Sequence, residues 1–200
     1  MRSKYVYKVS PAESLPVEDN SVTLIQAAAA LHWLNYEKFY RECDRVLVPG
    51  GVIAAFSYTL NIHFDHPLAA EIAEVFLEMK TKLTSADNPY CEKREKLTLQ
   101  KYTDESVQIP YRDSKRIDNE YIKVSTTVAG FLKFYRSVSL VRLYINSCPE
   151  NMEWWNTCCQ RFMEACGTAD LETPLTYRIE AFLLLGRKPK IPASDDCEYN

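Results

Sequence analysis

The chain has 200 residues, 46% of them hydrophobic, and a formal net charge of −3. That length suits one domain with a packed core, and the mild acidity excludes a chain-wide electrostatic footprint for nucleic acid or an anionic membrane. The longest apolar run near the start, residues 22–34, is interrupted by Thr23, Gln26 and His32 and is too short to cross a bilayer. "MRSKYVYKVS" lacks the apolar stretch of a secretory leader, so a soluble, cytoplasmic protein is expected. Seven cysteines without a C-x-x-C pair point to reduced structural thiols rather than a disulfide framework or zinc ribbon. Three scattered histidines predict no metal site.

In chain order, residues 4–10 alternate Tyr5, Tyr7 and Val9 against Lys4, Val6 and Lys8, the pattern of a short strand. A turn-rich stretch follows, and "VTLIQAAAA" opens as a β-branched apolar run, expected to be a strand buried on both faces to about residue 27. Helix propensity favours a turn or short helix for the remaining alanines. Tyr36, Phe39, Tyr40, Cys43, Val46 and Leu47 form one apolar helical stripe, with Asn35 as N-cap and Glu37 in the first turn. Pro49, Gly50 and Gly51 stop it, and "VIAAFSY" reads as another buried strand, completing a βαβ unit. A second amphipathic helix is expected over 67–84. The polar, weakly periodic segment 85–123 reads as an insertion within one domain spanning 1–190. Residues 125–136 read as helix, and Ser147 with Glu150 as a capping box for the helix carrying Trp155, Cys159, Phe162 and Cys166. "TPLTYRIEAFLLLGRKPK" is expected to be a long final strand, and 191–200 an acidic, frayed tail.

Ligands of open α/β sheets bind beyond the carboxyl ends of the strands, which directs attention to Ser10–Leu15, Ala28–Trp33 and Ser57–Asn61. Ala28 and Ala29 at a strand end let a ligand approach the backbone closely, although tight helix–sheet packing needs small residues equally. His32 suits a general base near neutral pH or a hydrogen-bonded pocket wall; Trp33 suits core or pocket lining. Glu13 can accept hydrogen bonds from a ligand's amine or hydroxyls, or stand solvated beside a turn. His63, Asp65 and His66 are close in sequence, but their spacing reads as loop residues rather than metal ligands.

"AESLPVEDNSVTLI…ALHWLNYEKFYRECDRVLVPGGVIAAFSY" resembles the middle of a class I S-adenosylmethionine-dependent methyltransferase, more narrowly the methyltransferase type 11 group related to trans-aconitate methyltransferases. The matching motifs are Ala-Glu-x-Leu-Pro at 12–16, His-Trp at 32–33 and Leu-x-Pro-Gly-Gly at 47–51. The resemblance implies a Rossmann-like α/β fold with a mostly parallel sheet and a helical insertion. It implies S-adenosyl-L-methionine as cofactor, with Ala12 and Glu13 beside its adenine and Ala28 and Ala29 contacting its methionine part. It also implies that His32 and Trp33 face the transferred methyl and a small-molecule acceptor, plausibly a carboxylate, with Tyr102, Tyr111 and Arg112 as candidate acceptor-pocket residues.

The family's Gly-x-Gly loop and its ribose-binding acid do not occur in these residues; the five glycines stand at 50, 51, 130, 167 and 186. The expected form is therefore truncated at its amino end by two βα units, about 60–90 residues. In the family's strand order, 3-2-1-4-5-7-6, the fourth strand then becomes an open edge. Losing three or four hydrogen bonds at roughly 1–1.5 kcal/mol each predicts weak cofactor binding. The alternative is an inactive isoform or interaction module that pairs with a homologue through that edge.

Overall fold

The computed structural model describes residues 5–85, 87–91 and 93–190; the tail expected over 191–200 lies outside the described residues. The chain forms two compact units. Unit 1 comprises Met1–Ser57, Thr103–Asp118 and Phe182–Asn200; unit 2 comprises Tyr58–Tyr102 and Asn119–Ala181. Among the described residues there are four strands, β1 (Val22–Ala28), β2 (Leu47–Phe64), β3 (Asp113–Thr127) and β4 (Pro174–Arg187), in the order β1-β2-β4-β3.

The sheet is mixed rather than mostly parallel. β1 and β2 run parallel, from Val22 opposite Leu47 to Ala28 opposite Phe56. β2 and β4 are antiparallel, because the start of β2 meets the end of β4 (Lys188 N–H to Gly51 O, 2.8 Å) and its end meets the start of β4 (Asp65 N–H to Thr176 O, 2.8 Å). β4 turns back on β3 in the same way: the Ser125 and Thr176 hydroxyls lie 3.3 Å apart, and Arg187 pairs with Asp113 at 3.4 Å. The parallel pair is the βαβ unit read from the sequence. By the strand order, β1 is an edge. Only Ala27 is buried along it, and Leu24 is 48% exposed, so the expectation of a strand buried on both faces is corrected: among the described residues it pairs on one side only.

Unit 1 is built around α1 (Tyr36–Val46). Asn35 caps it as expected, its Oδ1 accepting from Lys38 N–H at 3.2 Å, and Phe39, Tyr40, Cys43 and Val46 are buried. The Tyr40 hydroxyl donates to Val107 O at 2.6 Å, which needs no water to satisfy a buried phenol. After α1 the chain passes directly into β2. The ladder shifts register between Val22 and Leu24, whose partners are Leu47 and Val52; Pro49, Gly50 and Gly51 lie in that interval, with Gly50 at φ +82. Lys188 clasps this corner. Its ammonium donates to Asp44 O (2.5 Å) and Leu47 O (2.9 Å), carbonyls at the negative end of the helix, and to Asn20 Oδ1 (3.1 Å), so all three donors are used.

The loop before β1 is held by Arg45. All five of its N–H bonds find acceptors: Glu42 Oε2 (2.9 Å) and Oε1 (2.6 Å), Leu15 O (3.1 Å), Val17 O (3.1 Å) and Asp19 Oδ1 (2.6 Å). Glu42 Oε1 also accepts from Leu15 N–H at 2.5 Å. The Arg45 guanidinium holds the Glu42 carboxyl below the usual carboxylate range. Ahead of this loop, residues 5–10 form no strand, correcting the reading from alternation. Tyr7 is 93% and Val9 fully exposed, since no sheet neighbour buries either face of the alternating pattern.

Unit 2 contains α2 (Ala69–Thr84), α3 (Lys93–Leu99), α4 (Val128–Ser137), α5 (Ser139–Ile145) and α6 (Pro149–Ala165). Phe64, Phe76, Phe131, Tyr135 and Phe162 meet in one aromatic cluster, with the Phe131 and Phe162 rings stacked at 4.9 Å. α2, α4, α6 and β4 follow the expected elements closely. Two expectations fail locally. Segment 85–123 is not wholly insertion, because β3 begins at Asp113. The capping box at Ser147 does not form: Cys148 is the cap residue, Pro149 supplies the fixed first turn, and the Ser147 hydroxyl donates back to Tyr144 O at 2.7 Å.

Two outcomes test this packing. Phe131 is fully buried, and Phe131→Ala is expected to lower unfolding free energy by about 3–5 kcal/mol in urea titration; an unchanged midpoint would remove the aromatic cluster from the account. Arg45→Met is expected to speed amide exchange of residues 12–19 by about tenfold or more. Arg45→Lys, which keeps the charge but not the five-donor fork, should recover only part of the protection. Unaltered exchange in both variants would mean that other contacts hold the loop.

Candidate functional site

The candidate residues of unit 1 fall on two loops. Ala12 and Glu13 lie in the turn before β1, where Ser14 N–H donates to Pro11 O at 3.1 Å. Ala28 ends β1, and Ala29 stands at φ +46, a left-handed backbone that is uncommon for a residue with a Cβ. Its N–H donates to Phe56 O at 2.7 Å, closing the β1–β2 ladder before the chain turns away. The side chains of Ala28 and Ala29 are small and exposed, so the backbone here is open to close approach. Leu31–Trp33 then form a single 3-10 turn, with Trp33 N–H on Ala30 O (2.9 Å) and Leu34 N–H on Leu31 O (3.0 Å). Leu31 is fully buried and anchors the turn; Trp33 is 46% exposed, and the His32 ring is half-buried, 5.2 Å from the indole at a 47° tilt.

One hydrogen bond joins the two loops. Glu13 Oε1 accepts from Asn35 N–H at 2.9 Å, at the start of α1 and two residues after Trp33. The carboxylate therefore satisfies a donor at the entrance of the helix, where negative charge is favoured. Its other oxygen takes no hydrogen bond among the described residues. Glu13 thus has a structural task as well as a candidate binding one, a distinction that residue type and spacing do not carry.

Arg45 and Glu42, which position the first loop, are not evident from the sequence. Their only signal is an i, i+3 acid–base pair on α1, and such pairs are ordinarily solvated surface.

Other candidates are redistributed. Ser57–Asn61 is not a loop, because β2 continues to Phe64; Ser57 and Thr59 are buried within it. In unit 2, Tyr102 is fully buried and belongs to packing, not to a pocket wall. In unit 1, Tyr111 is also buried, its hydroxyl 3.2 Å from Asp44 Oδ1, and burial with the neighbouring carboxylate raises its pKa. Arg112 lines a different hollow, with Arg187, Lys188 and Lys190. His63, Asp65 and His66 do not act together. The His63 ring meets Tyr121 edge-on, Asp65 pairs with Arg178 at 3.0 Å, and His66 Nδ1 accepts from Leu68 N–H. Among the described residues no three His, Cys, Asp or Glu side chains are grouped to hold a metal, and no helix is long and apolar enough to cross a membrane. The cysteines of the described residues are free, and Cys43, Cys91, Cys158 and Cys166 are buried. Desolvation pushes the Cys43 thiol up to about 12 and that of Cys166 to about 11, so both are inert packing groups near neutral pH.

Comparison with known proteins adds to this geometry. A family profile described as methyltransferase domain matches residues 2–55, the segment holding both candidate loops. A methyltransferase-like protein of Dictyostelium discoideum is 41% identical over 54 residues, covering 27% of this chain and 20% of that protein. A Saccharomyces cerevisiae protein named as an S-adenosylmethionine-dependent methyltransferase is 22% identical, covering 90% of this chain and 67% of its own length. The chain thus matches a fifth of the first relative and two thirds of the second. A solved structure from Anaeromyxobacter dehalogenans, described as a type II methyltransferase, superposes with a TM-score of 0.71 at 23% identity, covering 93% of this chain and 73% of that one. Residues 2–55 are thus similar in sequence to a methyltransferase domain, and nearly the whole chain shares the fold of a solved methyltransferase structure.

Proposed function

We propose that this chain carries the methyl-side and acceptor-side part of an S-adenosylmethionine-dependent methyltransferase acting on a small-molecule carboxylate in a reducing cytoplasmic setting. The observation that carries the reading is the Glu13–Asn35 hydrogen bond, which draws the Ala12–Glu13 turn to the loop bearing His32 and Trp33. What the residues offer fits part of the cofactor. The exposed backbone at Ala28 and Ala29 suits the methionine portion, and the Glu13 oxygen that takes no hydrogen bond among the described residues suits an amine or hydroxyl donor. His32 and Trp33, tilted against each other, wall the place where an acceptor would be held and water excluded. When bound, S-adenosylmethionine supplies an electrophilic methyl on a sulfonium; the chain's contribution is to align the acceptor, for which proximity alone is a large effect. No Gly-x-Gly loop occurs in the 200 residues, so binding by this chain alone is weak.

Isothermal titration with S-adenosylmethionine is expected to give a dissociation constant above about 10 μM. Amide shifts should be centred on residues 12–13 and 28–33, and Ala28→Leu should weaken the binding further. Affinity tighter than that limit would reject the weak-binding reading, and shifts elsewhere would reject the site.

A second reading, a non-catalytic module or inactive isoform that pairs with a homologue, is favoured by one feature, the open β1 edge with Leu24 half exposed. It predicts concentration-dependent association in sedimentation velocity that Leu24→Lys abolishes. A monomer at all concentrations, alone and with a full-length homologue, would dismiss it.

A further inference from the structure

Unit 2 holds a polar cavity that the methyl-transfer reading does not use. It measures about 320 Å³ and is lined by Thr59, Leu60 and Asn61 of β2, Lys80 and Thr84 of α2, and Lys96, Leu99 and Gln100 at the end of α3. Behind it lies a buried carboxylate, Glu180 of β4, which is 6% exposed. Glu180 accepts from Thr59 Oγ1 (3.1 Å), from Asn61 Nδ2 (2.7 Å) and from the ammonium of Lys101. Lys101 and Tyr102 both take left-handed backbone conformations, at φ +57 and +55, and two such non-glycine residues in succession are costly. That strain is tolerated where Lys101 meets Glu180 and Tyr102 is fully buried.

The arrangement has a directional consequence. Because Asn61 donates its amide N–H to Glu180, its Oδ1 is left to accept, and it accepts from Lys80 Nζ at 2.6 Å. Lys80 is thereby steered by a neutral oxygen and not by a carboxylate. Burial lowers its pKa, opposed only by the charge of Glu180, which Lys101 already neutralises. Neither Lys80 nor Lys96 makes an ion pair among the described residues, and no acidic side chain lines the cavity. Two ammonium groups therefore share a small, partly desolvated space with unspent donors and no counter-charge, while Leu60 and Leu99 add apolar wall. A volume near the lower end of ligand pockets suits a small guest.

We infer that this cavity is a binding site for a small organic oxyanion, whose carboxylate or phosphate group is held by Lys80 and Lys96 with its short body against Leu60 and Leu99. The inference stands apart from methyl transfer, since no cofactor takes part in it.

The test uses the 200-residue chain at fixed ionic strength without cofactor, titrated with malonate, inorganic phosphate and, as a control of sign, choline. Amide and lysine Nζ resonances are followed by NMR. Malonate or phosphate is expected to produce saturable shifts at residues 59–61, 80, 84 and 96–100 with a dissociation constant below about 10 mM. Choline should produce none. A malonate preference identifies a carboxylate guest and a phosphate preference a phosphoryl one. Lys96→Gln, at an exposed position, and Lys80→Gln should each weaken binding fivefold or more, whereas Lys80→Arg should keep it within about threefold. No saturable shift below about 20 mM, equal binding of choline, or wild-type affinity in a folded Lys80→Gln, Lys96→Gln double variant would overturn the assignment.

Discussion

The candidate site of unit 1 depends on one side chain, Arg45. A guanidinium has five donors in a fixed plane, and here each has an acceptor: two on Glu42 and three spread along residues 15–19. An exposed ion pair alone contributes little. The effect comes from geometry: a planar fork seated on a helix engages successive groups of a loop that has no ladder of its own. Glu42 completes the clasp by accepting from Leu15 N–H on the oxygen that Arg45 also holds. With that end of the loop fixed, Glu13 can reach the Asn35 N–H, and the two candidate loops become one structural feature.

The sheet places a different constraint on the same region. β1 contributes its ladder to β2 on one side and, among the described residues, has no strand on the other. Its apolar composition suits a strand with two neighbours, but exposed Leu24 and the single buried residue, Ala27, describe a strand with one. Nothing in a strand's composition records how many neighbours it has, so a sequence adapted to the centre of a sheet reads as doubly buried wherever it stands. Polar residues such as Thr23 and Gln26 and the brevity of the strand are what blunt such an edge.

What can be read from the residues is what depends on local chemistry. The α1 stripe, its Asn35 cap and the glycine-marked corner with β2 are set by period, capping chemistry and positive φ, all properties of contiguous residues. β4 is legible because a long β-rich run has few other uses. Residues 5–10 alternate convincingly yet form no strand, because alternation shows what a strand would bury only if a partner is present. β3 escapes detection for the opposite reason. Lys115, Arg116, Asp118 and Glu120 give it the polarity of a loop, and its pairing to β4 is a long-range choice. Among candidate residues, His32, Trp33 and the alanines are proposed by motif. Arg45 and Glu180 are not, since an arginine on a helix and a glutamate in a strand look ordinary until their partners, 26–30 or 79–121 residues away, are known.

Lys188 has an implication for synthesis. The carbonyls it satisfies belong to Asp44 and Leu47, made more than 140 residues earlier, and its third acceptor is on Asn20. During translation, α1 and its corner with β2 can leave the ribosome well before this cap exists, and the closing contact awaits nearly the last described residues. While the intervening residues are made, the end of α1 is therefore open to water, in the care of local hydrogen bonds alone.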